Sequence, residues 1–231
     1  MRLAVFDIDG TLTDTKAVDY ECFLRAVADQ LRIDRARLDL SEAPHVTDSA
    51  IADWLSTKHR GRELSDDEHA RLIESFVGLL RAELARTAAR FAPVAGAPGL
   101  FAELRATGWE VAVATGGWAA SAHLKLTASG LAEPGLVMAT ASDAATRVEI
   151  LRLALGRARE RAAGDYRRIV SLGDGVWDVR AAADLGWAFV GVGRGAAADA
   201  LRGAGATQVV PDFSDRTALR DALETATAPA R

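Results

Sequence analysis

The sequence predicts an α/β fold, a parallel sheet with helices on both faces, carrying one all-α insertion. Three observations lead there. Six short runs, 3–6, 111–114, 136–139, 168–172, 187–192 and 208–210, are almost continuously apolar, as strands covered on both faces are. Helical patterns separate most of them, and that alternation implies parallel strands joined by crossover helices. The stretch 15–90 contains helical patterns and no convincing strand. It is expected to be an insertion, leaving 1–14 and 91–231 as the sheet-bearing core.

Within the core, helices are expected over 98–107, 118–129, 146–162, 176–185 and 196–203. Pro98 suits the first turn of the first of these and Gly108 its stop. Within the insertion, Tyr20, Phe23, Leu24, Val27 and Leu31 fall on one helical stripe. A second helix is expected over 48–59, capped by Thr47 or Asp48 and ended near Gly61. A third begins at Ser65, where Ser65 and Glu68 have capping-box spacing, and runs through Leu72, Ile73, Phe76, Leu80 and Leu84. The tail 225–231 is expected to fray.

The composition is that of an ordinary globular chain: 231 residues, 49% hydrophobic and 26% charged, with a net charge of −4. That balance argues against nucleic acid or an anionic membrane as partner. No apolar run is long enough to span a bilayer. Asp7 and Asp9 interrupt the N-terminal apolar stretch before it resembles a secretory leader. The single cysteine, Cys22, has no intramolecular disulfide partner, which fits a reducing compartment. A cytoplasmic setting is expected.

The chemistry gathers at strand ends. Asp7-Ile8-Asp9-Gly10-Thr11 follows the first apolar run. Side chains two apart share a face of an extended strand, so Asp7 and Asp9 point the same way and Gly10 turns the backbone aside. Two carboxylates held together repel; a cation must lie between them or one must take a proton. Thr115-Gly116-Gly117 ends the second strand, and Gly173-Asp174-Gly175 with Asp178 ends the run 168–172. Ligands of parallel sheets bind beyond such ends. Several acids there call for a hard divalent ion bound through oxygen, Mg2+ being the common choice.

Asp7-Ile8-Asp9-Gly10-Thr11-Leu12, Val113-Ala114-Thr115-Gly116 and Gly173-Asp174-Gly175-Val176-Trp177-Asp178 resemble three motifs of the haloacid dehalogenase-like hydrolases. The resemblance covers essentially the whole chain. It implies a Rossmann-like core, a mobile helical cap over 15–90, and Mg2+-dependent phosphoryl transfer through an aspartyl phosphate. On that reading Asp7 is the nucleophile and Asp9 the general acid and base. The metal is held by Asp7, the backbone carbonyl of Asp9, and Asp174, with Asp178 fixing a metal-bound water or the 173–175 loop. Thr115, Gly116 and Arg147 hold phosphoryl oxygens, and Gly10, Thr11 and Gly117 flank them as substrate-binding positions. An Asp at position 9 favours phosphate esters over haloacids, because a departing halide needs no proton.

The family's fourth motif, usually a lysine between the second and last motifs, is missing. Lys16 and Lys58 precede that interval, and Lys125 stands only two turns after the second strand, too early in it for the motif. Lys125 is expected mid-helix and pointing elsewhere. Arg147 is the replacement: Thr146 and Glu149 have capping-box spacing, so Arg147 stands on a first helical turn, where its charge and the helix dipole both favour phosphate. Arg152 is the runner-up.

In the insertion, His45, Thr47 and Asp48 belong to a polar loop that either faces the cleft or merely caps a helix. Trp118 either lines the pocket mouth or belongs to the core. The expected substrate is a small phosphorylated metabolite, of phosphoglycolate or sugar-phosphate type by resemblance only. A phosphomutase using the same residues is the alternative. A phospho-acceptor switch or a nucleotide-binding module is more distant, since the glycine pattern 191–196 falls late in the sheet and reads as a tight turn.

Overall fold

The computed structural model describes residues 1–230, so Arg231 of the tail lies outside the described residues. The core strands are β1 (Arg2–Phe6), β2 (Trp109–Ala114), β3 (Val137–Ala139), β4 (Arg168–Gly173), β5 (Ala188–Val192) and β6 (Gln208–Val210). They form one parallel sheet in the order β3-β2-β1-β4-β5-β6. The chain builds outward from β1 to β3, then returns to lay β4 against the other side of β1. That reversal opens a crevice at the carboxyl ends of β1 and β4.

Alternation along β1 divides the core. Ala4 and Phe6 face a layer with Leu100, Phe101, Leu126, Leu219 and Leu223. Leu3 and Val5 face Ile150, Leu151, Ala154 and Leu155. The helices supplying these layers are α4 (Leu100–Ala106), α5 (Ala119–Ala128), α6 (Arg147–Ala162) and α9 (Arg216–Thr225). With α7 (Val176–Leu185) and α8 (Gly195–Gly203), they cover both faces.

Between β1 and α4 the chain forms α1 (Lys16–Leu31), α2 (Asp48–Arg60) and α3 (Asp66–Arg86). Thr47 caps α2, and Gly61 ends it in a left-handed conformation. The capping box of Ser65 and Glu68 is present at α3. Phe23, Val27, Leu55, Leu72, Phe76 and Leu80 form one apolar cluster with Trp118 and Ala141 of the sheet-bearing part. The chain leaves and re-enters side by side: Asp14 N–H donates to Ala92 C=O at 2.9 Å, and Val94 N–H to Leu12 C=O at 2.9 Å.

Several expectations are corrected. Helix α4 starts at Leu100 behind Gly99, so Pro98 precedes it. Tyr20 leaves the apolar stripe of α1 and is 51% exposed, because the helix turns Val18, Cys22 and Phe23 inward instead. Helix α9 is not among the helices expected, although Leu219, Ala222 and Leu223 recur at helical spacing and form its buried stripe. The tail through Ala230 does not fray as a whole. Phe189 N–H donates to Thr227 C=O, Arg168 donates to the carbonyls of Leu223 and Ala226, and Pro229 is buried. Among the described residues no helix is long and apolar enough to cross a membrane.

Candidate active site

The parallel register places Phe6 beside both Val113 and Leu172, so β1, β2 and β4 end at one level. Asp7 continues β1 by donating its N–H to Leu172 C=O at 3.0 Å, and its carboxylate is 4% exposed. Gly10 follows with φ +85°; a Cβ there would stand 2.3 Å from Asp174 Oδ2, so the residue must be glycine for the β1 and β4 loops to meet. Asp7, Asp174 and Asp178 each offer a carboxylate oxygen within 4.8 Å of the others.

Arg147 reaches into this cluster from the first turn of α6. Its Nη1 lies 2.9 Å from Asp7 Oδ1 and 2.8 Å from Asp178 Oδ1. Thr146 Oγ1 caps α6 by accepting from Glu149 N–H. The full capping box expected at Thr146 does not form: the Glu149 carboxylate accepts from the Thr146 hydroxyl at 2.8 Å instead of reaching the backbone. Arg152 is exposed on the outer side of α6. Burial opposes the charge on Arg147, but Asp178 and Asp7 outweigh it and hold its pKa above the ordinary value.

The acids respond in the opposite sense. Burial first, then the charge of Asp7, raises the Asp174 carboxyl to about 6. Burial raises Asp178 well above the carboxylate range, further than Arg147 pulls it back. Asp178 Oδ2 also accepts from Gly175 N–H at 3.1 Å, which pins the β4–α7 turn. Lys16 Nζ holds Asp174 Oδ2 at 2.6 Å, while Asp174 Oδ1 is buried with no partner among the described residues. Three oxygen ligands around one such atom fit a hard divalent cation.

Asp9 sits apart from this cluster. Its Oδ1 accepts from the Thr15 hydroxyl at 2.6 Å and its Oδ2 from Lys125 Nζ at 2.5 Å. Lys125 therefore does not point elsewhere, as expected of it, but into the site. It is fully buried and also donates to Asp19 Oδ1 at 2.6 Å. Burial alone would lower its pKa; Asp19, Asp9 and Asp48 reverse that and raise it. A sequence signal existed: Ser121, Ala122, Lys125 and Leu126 are the inward stripe of α5. Asp19, raised to about 6 by burial and then by Asp9, was missed as well.

A cavity of about 290 Å³ opens above these groups, lined at its base by Asp7, Asp9, Thr115, Gly116, Gly117 and Arg147. Thr115 is buried and its Oγ1 accepts from Gly117 N–H at 3.2 Å. Gly116 is pressed against the insertion; a Cβ there would stand 2.7 Å from Val46 C=O, and its own carbonyl accepts from Asp48 N–H at 2.8 Å.

The remaining candidates divide. Asp48 lines the cavity, buried, with Oδ2 accepting from Trp118 N–H at 3.0 Å. Thr11 is buried and is not among the lining residues; its hydroxyl is buried without a hydrogen-bond partner among the described residues. Thr47 acts as a helix cap, and its hydroxyl donates to Ala145 C=O at 2.6 Å. His45 is exposed and borders a neighbouring depression instead. Trp118 is core, packed on Phe23 and Phe76 with ring centroids 5.8 Å away in each case.

The family pattern described as haloacid dehalogenase-like hydrolase matches residues 1–186. No curated protein matches the chain. Among solved structures, a hydrolase from Pseudomonas syringae superposes with TM-score 0.72 at 21% identity, covering 98% of this chain and 100% of its own. CbbY from Rhodobacter sphaeroides in complex with phosphate superposes with TM-score 0.68 at 22% identity, covering 97% and 99%. A mutant of CbbY bound to xylulose-(1,5)bisphosphate gives TM-score 0.66 at 22% identity, covering 93% and 96%. These likenesses establish the Rossmann-like architecture, and the match over 1–186 establishes the family: the chain belongs to the haloacid dehalogenase-like hydrolases.

Proposed function

We propose that this hydrolase is a Mg2+-dependent phosphatase acting on a small phosphomonoester through an aspartyl phosphate on Asp7. One observation carries the reading: Asp7, Asp174 and Asp178 converge within 4.8 Å beneath the cavity, with the Arg147 guanidinium against two of them. Mg2+ would be held by Asp7, Asp174 and the backbone carbonyl of Asp9, and would supply charge stabilisation at a phosphoryl oxygen.

The residues then divide the work. An Asp7 oxygen attacks phosphorus, the P–O bond to the alcohol breaks, and phosphate remains on Asp7. Asp9 gives a proton to the departing alkoxide and later takes one from the water that hydrolyses the aspartyl phosphate. Both Asp9 oxygens are engaged here by Thr15 and Lys125, so proton transfer requires one of those contacts to open. Arg147, the Thr115 hydroxyl and the Gly116 N–H hold the phosphoryl oxygens. Asp178 orients the 173–175 turn and Arg147. The segment 15–90 acts as the cap that closes over the site. The CbbY complexes with phosphate and a sugar bisphosphate support phosphorylated small molecules as the substrate class. The lone thiol of Cys22, buried in α1, supports a reducing, cytoplasmic setting.

The test is phosphate release from a panel of small phosphomonoesters with and without Mg2+. Turnover that needs Mg2+ is expected. Release unaffected by chelation, or none from any ester, defeats the reading.

A further inference from the structure

The cavity over Asp7 has a polar base and an apolar roof. The roof comes from Tyr20 and Phe23 of α1, Leu40, Ala43 and Val46 of the loop before α2, and Ile51 of α2. Trp177 of α7 closes one side. Its charges are two acids, both already engaged: Asp19 by Lys125 at 2.6 Å and Asp48 by the Trp118 N–H at 3.0 Å. The lining cations are Lys16 and Arg147, and both bind the acids at the base. Apart from Lys16, which reaches from the start of α1 down to Asp174, the described residues that α1, α2 and the loop between them give to the lining include no Lys, Arg, His, Asn or Gln.

This distribution discriminates between alcohols. A second anionic group on the substrate would leave water for largely apolar walls and two carboxylates. The donors there, the Tyr20 hydroxyl and the Trp177 Nε1–H, the latter buried without a partner among the described residues, are neutral and supply no counter-charge. A polyol would give up hydrogen bonds to water and find few replacements. An apolar body would instead bury its surface against Phe23, Val46 and Ile51. The volume, about 290 Å³, is at the small end for ligand cavities. It suits one phosphate and a body about the size of a single ring.

Resting on the phosphatase reading, we propose that the substrate is a phosphate monoester of an uncharged, apolar alcohol, seated under Phe23, Val46 and Ile51 beside Trp177. Phosphoglycolate, bisphosphates and polyol phosphates are then poor substrates, in contrast to what the family resemblance implies.

The experiment uses the full chain with Mg2+ and four esters: benzyl phosphate, glycerol 1-phosphate, phosphoglycolate and 4-nitrophenyl phosphate. Benzyl phosphate keeps an alkoxide leaving group, so its comparison with the glycerol and glycolate esters reads the body and not an activated bond. The expected kcat/KM for benzyl phosphate exceeds both by about tenfold or more. Equal or better turnover of phosphoglycolate or glycerol 1-phosphate overturns the proposal while leaving the phosphatase reading intact. No release from any of the four overturns the phosphatase reading, and the proposal with it.

Binding gives a second readout. Benzylphosphonate is expected to raise the melting temperature more than phosphonoacetate; the reverse order overturns the proposal. Ile51→Lys, which sets a cation in the roof, is expected to shift the benzyl-to-glycolate preference by about tenfold toward phosphoglycolate. An unchanged ratio means that the roof does not touch the alcohol. Should that variant not fold, the phosphonate comparison on the unaltered chain decides.

Discussion

Lys125 Nζ lies 2.5 Å from Asp9 Oδ2, although 116 residues separate the two in the chain. The lysine is fully buried, and it also grips Asp19 of the helical insertion at 2.6 Å. One ammonium thus ties a strand-end carboxylate of the core to the first insertion helix.

Removing that ammonium leaves two carboxylates facing each other without a counter-charge. Lys125→Met is expected to lower stability by about 3–5 kcal/mol, the range for breaking a buried ion pair from one side. Urea unfolding measures it. Adding Asp19→Asn is expected to recover part of the loss, since the two sites share one interaction. Simple additivity of the two changes would argue that the contact is not coupled.

Arg147 touches Asp7 and Asp178 through a single nitrogen, Nη1. A point charge in that place can serve both acids. Arg147→Lys is therefore expected to keep the fold and a substantial fraction of activity, whereas Arg147→Met is expected to lose about 10²–10³ in kcat. Equal loss in both variants would mean that the fork of the guanidinium, and not its charge, is what matters.

Asp7→Asn retains size and burial but cannot form the covalent intermediate. Its kcat is expected to fall roughly a thousandfold or more, as for other lost nucleophiles. Phosphate release measures the rate, and acid-quenched protein from the unaltered chain should carry acyl-bound phosphate that the variant lacks. Near-normal turnover by the variant would falsify the nucleophile assignment.

The acids also set a pH dependence of stability. Asp19 and Asp174 are raised to about 6, and Asp178 is raised too, from an ordinary value of 3.8. Between those limits the folded chain binds more protons than the unfolded chain, so this contribution is full below about pH 4 and is lost as pH rises through about 6 for Asp19 and Asp174 and through about 8 for Asp178. Asp39, Asp143, Asp165 and Asp212 are shifted downward and act in the opposite sense, at lower pH. In chelator the melting temperature is expected to be higher at about pH 5.5 than at about pH 7.5. Saturating Mg2+ binds the ionised form of Asp174, and not Asp19 beside Lys125, and stabilises by about 2.7 kcal/mol at a hundredfold excess over its Kd, shrinking or reversing the difference. The same slope with and without Mg2+ would separate the ion from these acids.

What the chain discloses in one dimension is what short-range rules govern. Period-two alternation put Asp7 and Asp9 at the end of β1. Apolar runs marked the strands, and Thr146 as helix cap put Arg147 on the first turn of α6. Each depends on neighbours within a few residues. The partnership of Lys125 with Asp9 and Asp19 does not, nor does the engagement of Asp174 by Lys16, 158 residues away. Nor was the roof legible: Phe23, Val46 and Ile51 are ordinary apolar residues in a string of them. Only the packing of α1 and α2 over the ends of β1, β2 and β4 turned those side chains toward one cavity. Local periodicity decides which face a side chain occupies, while long-range packing decides what that face meets.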